Sequence, residues 1–476
     1  MTIGTWLAVG ELGWVIGLGT WIVLERRSPA ATLAWIFGLA WIPLLGIPVY
    51  LLIGPRRLRR KKLRYRRGKT RIAEASESLE RERGETADLP AEWNSPLALL
   101  AQRAGQPRPQ AAKRIDLLTS GNACYESIEA AIASAKHHVH LEYYIWEPDR
   151  IGARFRDLLC EKAKSGVEVR LLIDAIGSRR LDRRFLRPLR DSGAELARFN
   201  PISIMRYPPG LVNFRSHRKI CVVDGEIGFL GGVNICDSHS EAISGELAWR
   251  DTHLRIEGPP VGDMQLAFLE DWQFANGEGP CSSDYFPSSE PPNECPRVQI
   301  LTSGPDHESY AIERFFFGAI AGARKRILLT TPYFVPNEGI LSALTTSAMR
   351  GVEVRILVPK RSDSRLVAAA ARSHFEDLAR RGVMIHEFGP QMLHAKTMVV
   401  DDDVSIVGTA NMDNRSFRLN FEIAAVIYDR ELADSLSANF AEDLRHTSEY
   451  RVRDARRTPF AQRLGESTAR LLSPLL

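Results

Sequence analysis

Two histidines, two lysines and two asparagines recur at matched intervals in this chain. His217-x-Lys219-x4-Asp224 is followed by Gly231-Gly232-x-Asn234, and His394-x-Lys396-x4-Asp401 by Gly408-Thr409-x-Asn411. The histidine-to-asparagine spacing is 17 residues in both. One H-x-K-x4-D arises by chance in many sequences; two copies with the same downstream asparagine do not. The set suits chemistry on a phosphodiester. A neutral imidazole attacks phosphorus and forms a phosphohistidine. A second, protonated imidazole donates to the leaving oxygen and then deprotonates the incoming hydroxyl. Lys219 and Lys396 would neutralise the non-bridging oxygens, while Asn234 and Asn411 donate hydrogen bonds as charge develops. The reaction calls for no metal and no cofactor, and H-x-K lacks the carboxylate cluster that would hold Mg²⁺. Asp224 and Asp401 complete the signature and are counted with its catalytic set, although their turn positions favour a part in holding hairpins. His137, His138 and His140 look like a metal cluster on paper, but no carboxylate or thiol lies nearby at ligand spacing, so they read as a strand entry.

The elements that must position these groups are themselves duplicated. Leu117-Leu-Thr-Ser-Gly121 returns as Ile300-Leu-Thr-Ser-Gly304, and Gly166-Val-Glu-Val-Arg-Leu-Leu-Ile173 as Gly351-Val-Glu-Val-Arg-Ile-Leu-Val358. Apolar runs such as 167–173 read as buried strands, and 126–136 and 153–164 as helices between them. That alternation predicts α/β domains, each a sheet covered by helices, with the two copies packed face to face about a pseudo-twofold axis. Each signature falls on a hairpin: 219–223, a tight Asp224-Gly225 turn and 226–230; then 397–400, Asp401-Asp402 and 403–407. Histidine and lysine, two apart, project to one face of their strand. The expected divisions are a membrane hairpin (1–55), a basic juxtamembrane segment and linker (56–112), a first domain (113–285), a second (286–450) and a tail (451–476).

Charge is unevenly placed. Residues 56–71 hold eleven Lys/Arg and no Asp/Glu, so without them the net charge of +5 becomes −6. A mildly acidic catalytic part argues against a nucleic-acid enzyme, which needs a cationic footprint around its site. Residues 3–24 and 30–54 are apolar stretches long enough to span a bilayer, joined by Glu25-Arg-Arg-Ser-Pro29. The basic run after the second stretch places everything beyond Gly54 in the cytoplasm; it also suits gathering anionic lipid. In the tail, Phe460, Leu464, Leu471 and Leu475 recur at helical intervals beside Arg463 and Arg470, which fits either an interfacial amphipathic helix or a helix packed on its own domain. The six cysteines lack zinc-like spacing and read as reduced thiols, with a Cys281–Cys295 bridge as the alternative.

With these residues in view, the chain resembles the phospholipase D superfamily and, within it, the bacterial cardiolipin synthases with an N-terminal membrane hairpin. Arg26-Arg-Ser-Pro29, Asn213-Phe-Arg-Ser-His-Arg-Lys219, Thr331-Pro-Tyr-Phe-Val-Pro336 and Asn411-Met-Asp-Asn-Arg-Ser-Phe-Arg-Leu-Asn-Phe-Glu422 carry the likeness, which covers essentially the whole chain. The family's usual residue at position 216 is Asn, here Ser. The resemblance implies two tandem phospholipase D-like domains after two transmembrane helices, in the bacterial inner membrane with the catalytic part on the cytoplasmic side. It implies transfer of a phosphatidyl group from one phosphatidylglycerol to another, giving cardiolipin and glycerol. His217 would be the nucleophile and His394 the acid/base. Glu422 would orient His217 and Asp251, in Trp249-Arg250-Asp251, would orient His394; spacing alone does not give that crossing. The alternative within the same chemistry is a membrane-bound phospholipase D releasing phosphatidic acid. Residues 202–212, with Tyr207-Pro-Pro209, read either as part of a lipid entrance or as a buried loop.

Overall fold

A computed structural model of the chain describes residues 95–201, 214–277, 282–287 and 295–476, except 307, 308, 390, 454–457, 474 and 475, together with residue 279 and a few positions between 13 and 37. The chain divides into two compact units, 1–63 with 202–213 and 64–201 with 214–476. In the first, residues 19–24 are helical, with Ile22 buried and Trp21, Val23 and Leu24 exposed. Among the described residues no helix is long and apolar enough to cross a membrane. The two expected spans lie largely outside the described residues, as do the basic run, the 202–212 stretch and Cys281; the five described cysteines are free.

The second unit holds two mixed sheets. One has seven strands in the spatial order Arg114–Leu118, His253–Glu257, Ile227–Gly231, Lys219–Val223, His138–Tyr143, Glu168–Asp174, Glu195–Phe199. The other has nine, Gln110–Ala111, Arg297–Ser303, Glu422–Tyr428, Val404–Gly408, Thr397–Val400, Arg326–Thr330, Glu353–Pro359, Met384–Phe388, Thr447–Tyr450. Without its two edge strands the second order matches the first strand for strand, so the sequence repeat is a structural repeat. In each copy the last three of the matched strands are parallel, and the first two of these are mostly buried, as strands under helices on both faces must be. Helices Arg150–Lys164 and Glu338–Met349 make corresponding crossovers. Asp149 and Asn337 cap their first turns. Gly166 and Gly351, the first residues of the repeated octapeptide, turn the chain into the next strand at φ of +92° and +91°, where a side chain would strain the backbone.

The two sheets meet face to face. Ile220, Val222, Leu230 and Leu254 of the first pack in one buried cluster with Val298, Ile300, Val399, Val407 and Ile423 of the second. The helices on the outer faces close separate cores around Phe155 and Phe315.

Two details differ from the sequence reading, and a third, in the tail, matches one of its two alternatives. The signature hairpins close with three-residue loops, since Val223 pairs with Ile227 and Val400 with Val404. Asp224, Gly225 and Asp401 take positive φ there, which Asn and Asp tolerate best among residues with a Cβ. The linker is not all linker: helix Pro96–Arg103, capped by Ser95, packs against helix Ala311–Gly322, and Gln110–Ala111 joins the edge of the second sheet. In the tail, helix Phe460–Arg470 packs on helix Arg365–Arg380, with Ala469 against Val335 and Ala370.

Asp224 and Asp401 are bound into this scaffold by backbone hydrogen bonds. The Asp224 carboxylate accepts from the backbone N–H groups of Lys136, His137 and His138; Asp401 accepts from those of Arg324, Lys325 and Arg326. Each lies at the far end of a strand from its lysine, so it tethers the hairpin to the entry of the neighbouring strand. Asp224→Ala is expected to cost about 2 kcal/mol of stability, as charge-assisted hydrogen bonds of this kind do, and to leave turnover per folded molecule unchanged; denaturant titration with a parallel activity assay checks both.

Candidate active site

The main chain builds the site before any side chain acts. The His217 N–H donates to the Phe421 carbonyl (2.9 Å) and the Phe421 N–H to the Arg215 carbonyl (2.9 Å). In the mirror arrangement the His394 N–H donates to the Arg250 carbonyl (2.7 Å) and the Arg250 N–H to the Met392 carbonyl (2.9 Å). Two short parallel bridges, Ser216 with Phe421 and Arg250 with Leu393, therefore stitch the halves together. The residues one step beyond Phe421 and Arg250 are Glu422 and Asp251. Each signature histidine is thus paired with the other half's acid by backbone register.

The side chains complete the crossing. His217 Nδ1 lies 3.0 Å from Glu422 Oε2, and His394 Nδ1 lies 2.7 Å from Asp251 Oδ2. An ionised carboxylate can only accept, so each Nδ1 carries the proton and each Nε2 is left for chemistry. His217 and His394 are 7 % and 5 % exposed. Burial holds His217 down to about 4, with Glu422 pulling up and Lys219 pushing down. Burial together with the Lys396 and Lys219 charges holds His394 well below the usual histidine value. Both imidazoles are neutral in the empty site; an anionic substrate is what would let one of them hold a proton.

The acids behind the histidines are supported unequally. Glu422 also accepts from the Thr409 hydroxyl (2.5 Å) and the Asn420 amide (3.1 Å). Burial pushes its carboxyl up, but His217, Lys219 and Thr409 hold it below the ordinary glutamate value. Asp251 accepts from His394 and from the Thr252 N–H (2.7 Å). Gly232 explains the shorter acid. A Cβ there would fall inside the Asp251 carboxylate, whereas the equivalent position in the second copy is Thr409, whose hydroxyl feeds Glu422.

The lysines are the strongest pointer to a ligand. Lys219 and Lys396 are 0 % and 4 % exposed. Burial, and for Lys219 the nearby Lys396 charge, lowers them to about 7 and about 8. Each ammonium donates to the carbonyl of its own histidine, and Lys396 Nζ lies 2.9 Å from His394 Nδ1. Two buried ammonium groups close enough to repel each other are costly unless an anion joins them. The Asn234 side-chain oxygen, Oδ1, accepts from the Ile145 N–H (3.2 Å), and its Nδ2 has no partner among the described residues. Asn411 is buried in the matching position, its backbone N–H bound to the Ser416 hydroxyl. Of the ten residues expected at the site, His217, Lys219, Glu422, His394, Lys396 and Asp251 interact with one another, while Asp224 and Asp401 are held by backbone N–H groups at the hairpin turns.

Some of the site carried no sequence signal. The Tyr144 ring meets His217 edge-on at 5.0 Å and lies 5.4 Å from Lys219 Nζ. Trp249 lies 5.1 Å from His394. His239 packs against His394 at 5.5 Å with its Nδ1 3.6 Å from Asp251. His239, Asp251 and His394 each offer a ligand atom within 4.8 Å of the others, but the Asp251 carboxylate already takes the His394 proton, an arrangement suited to a proton relay. His138 and His140 sit on a strand as expected and bind Gln265. Glu168, distant in sequence, lies 3.1 Å from His140.

Comparison with known proteins agrees with this geometry. The family model described as "Cardiolipin synthase, PLD-like domain" matches residues 128–253 and 317–444. Cardiolipin synthase 1 of Bacillus cereus is 39 % identical over 471 residues, covering 97 % of this chain and 92 % of that protein. The cardiolipin synthase of Geobacillus kaustophilus is 40 % identical over 472 residues, with 97 % and 92 % covered. Among solved structures, the phosphatidylserine synthase of Haemophilus influenzae Rd KW20 shares the fold, with a TM-score of 0.61 and 15 % identity over 80 % of this chain and 100 % of that one. With two matched domains and a likeness that runs nearly end to end, the chain belongs to the cardiolipin synthase family of phospholipase D-like enzymes and is a phosphatidyltransferase.

Proposed function

We propose that the enzyme joins two phosphatidylglycerols in two displacements at one phosphate. His217 Nε2 attacks the phosphorus of the first lipid; the P–O bond to glycerol breaks, and His394 gives its Nε2 proton to the departing oxygen. The product is a phosphatidyl-His217 and free glycerol. His394, now neutral, takes the proton from a terminal hydroxyl of the second phosphatidylglycerol, whose oxygen attacks phosphorus and releases His217, yielding cardiolipin. Lys219, Lys396, Asn234 and Asn411 hold the non-bridging oxygens throughout. Glu422 stabilises the positive charge that grows on His217, and Asp251 keeps the His394 tautomer.

The observation that carries this reading is the pair of buried lysines beside two acid-backed imidazoles. Near-complete burial of both histidines favours a lipid hydroxyl over bulk water as acceptor. We read 113–285 and 286–450 as the two catalytic domains, 3–24 and 30–54 as spans anchoring them in the bacterial membrane, and the cytoplasm as their compartment. The test is purified full-length protein with phosphatidylglycerol alone in mixed micelles, the lipids resolved by mass spectrometry. Cardiolipin with equimolar glycerol is the expected product; phosphatidic acid without cardiolipin would make hydrolysis the reaction.

A further inference from the structure

We propose that the outer face of helix Phe460–Arg470 docks on an anionic bilayer and fixes the second signature loop at the membrane surface. The helix is ordered on its own domain through one side: Ala469 is buried against Val335 and Ala370, and Glu466 reaches Arg372 at 3.5 Å. The other side is an apolar stripe facing solvent. Phe460, Leu464 and Leu471 are 80 %, 56 % and 74 % exposed, and Leu472 beside them 42 %. Around a 3.6-residue period the first three fall within about 40° of one another, while Ala469 points the opposite way.

Charge selects the occupant. Residues 451–476 carry six arginines (451, 453, 456, 457, 463 and 470) against Asp454 and Glu466, and Glu466 is already paired. Arg463 and Arg470 flank the stripe on one side. An apolar stripe edged by arginines is the pattern of a helix lying in a lipid interface, its rings and leucines among the acyl chains and its guanidiniums at the phosphates.

The site supplies the reason. The Arg415 N–H donates to the Leu476 carbonyl (2.9 Å), and the Asn414 amide donates to the Ser473 carbonyl (3.1 Å). Asn414 and Arg415 begin the short helix Asn414–Arg418, three and four residues after Asn411. The tail is therefore hydrogen-bonded to the loop that carries one phosphate ligand, and a helix seated on the bilayer presents that loop to lipid. The proposal rests on the family's phospholipid substrate and not on which histidine attacks.

The test uses the full chain in phosphatidylglycerol-containing vesicles, with Cys281 and Cys295 changed to Ser; the other four cysteines are buried. An environment-sensitive fluorophore is placed at Leu464→Cys or, as control, at Met349→Cys, an exposed position before the strand that begins at Glu353, at the end of the sheet away from the site. Lipids brominated in their acyl chains should quench the label at 464 and not at 349. Leu464→Asp with Leu471→Asp should lower turnover of vesicle phosphatidylglycerol about tenfold, as expected when two leucines leave an interface, and leave turnover of monomeric short-chain phosphatidylglycerol unchanged. A label at 464 that stays solvent-like in lipid, or that reports a second copy of the chain instead of lipid, overturns the proposal, as does equal loss on both substrates. Failure of the unmodified enzyme to turn over the short-chain lipid would strike the catalytic reading instead.

Discussion

His394→Ala is expected to release one equivalent of nitrophenolate per active site from a phosphatidyl nitrophenyl ester and then stall, while His217→Ala releases none. With phosphatidylglycerol itself both variants should lose about four orders of magnitude in turnover, the upper range for removing a positioned general acid or a nucleophile. The activated ester separates the roles. Glycerol alkoxide is a poor leaving group that needs a proton as it departs, and His394 supplies it. Nitrophenolate needs none, so attack by His217 proceeds without His394 and the phosphatidyl group is trapped. Mapping the acid-labile phosphate to the peptide containing His217 completes the measurement. A burst from His217→Ala with the label on His394 would exchange the two roles and leave the rest of the site as described.

The same geometry sets the pH dependence. In the empty enzyme Lys219 and Lys396 lose their protons near 7 and 8, because burial lowers them. A group lowered in this way is charged below its shifted value and neutral above it. The site should therefore lose its affinity for the phosphodiester as the pH rises through 7 to 8, appearing as a rising KM. Bound phosphate opposes the loss by favouring both ammonium forms.

How much of this was legible beforehand depended on the kind of signal. The fold class and its duplication were written in short identical strings, because Gly166 and Gly351 must leave a helix in the left-handed region and the apolar runs after them must sit under helices. The paired histidines and lysines were legible because spacing of two on a strand sends both to one face. The crossing of Glu422 to His217 and of Asp251 to His394 came from family likeness alone. Its cause is a pair of bridges between segments some 140 to 200 residues apart, and no local pattern encodes such a contact. Tyr144, Trp249 and His239 were invisible for the same reason. The aspartates at 224 and 401 were counted with the motif although their turn positions already favoured holding the hairpins, which is where the structure has their hydrogen bonds. The linker's edge strand was missed because Pro, Gln and Ala around residue 107 look like coil until the second sheet offers an open edge.

Glu422→Gln is expected to lower turnover by about three to four orders of magnitude, the scale seen when the carboxylate behind a reactive imidazole is neutralised in place, and the activated nitrophenyl ester should not restore it. Glu422 stands behind the imidazole that becomes cationic on phosphorylation. Its charge matters in the attack itself, and Thr409 and Asn420 keep that charge in place. A neutral amide of the same shape leaves the cation on His217 without a counter-charge in a site that already holds two buried lysines, so the phosphohistidine forms slowly whatever the leaving group. Asp251→Asn provides the contrast. Asp251 acts on His394, which serves the leaving group, so its loss should be large with phosphatidylglycerol and mostly rescued in the first turnover of the nitrophenyl ester. Rapid-quench measurement of the first turnover with each ester distinguishes the two variants. Equal rescue of both would mean that the carboxylates merely orient their histidines. A rescue limited to Asp251→Asn would place charge stabilisation at Glu422 and proton delivery at Asp251, a division that the unequal hydrogen bonding of the two acids already prepares.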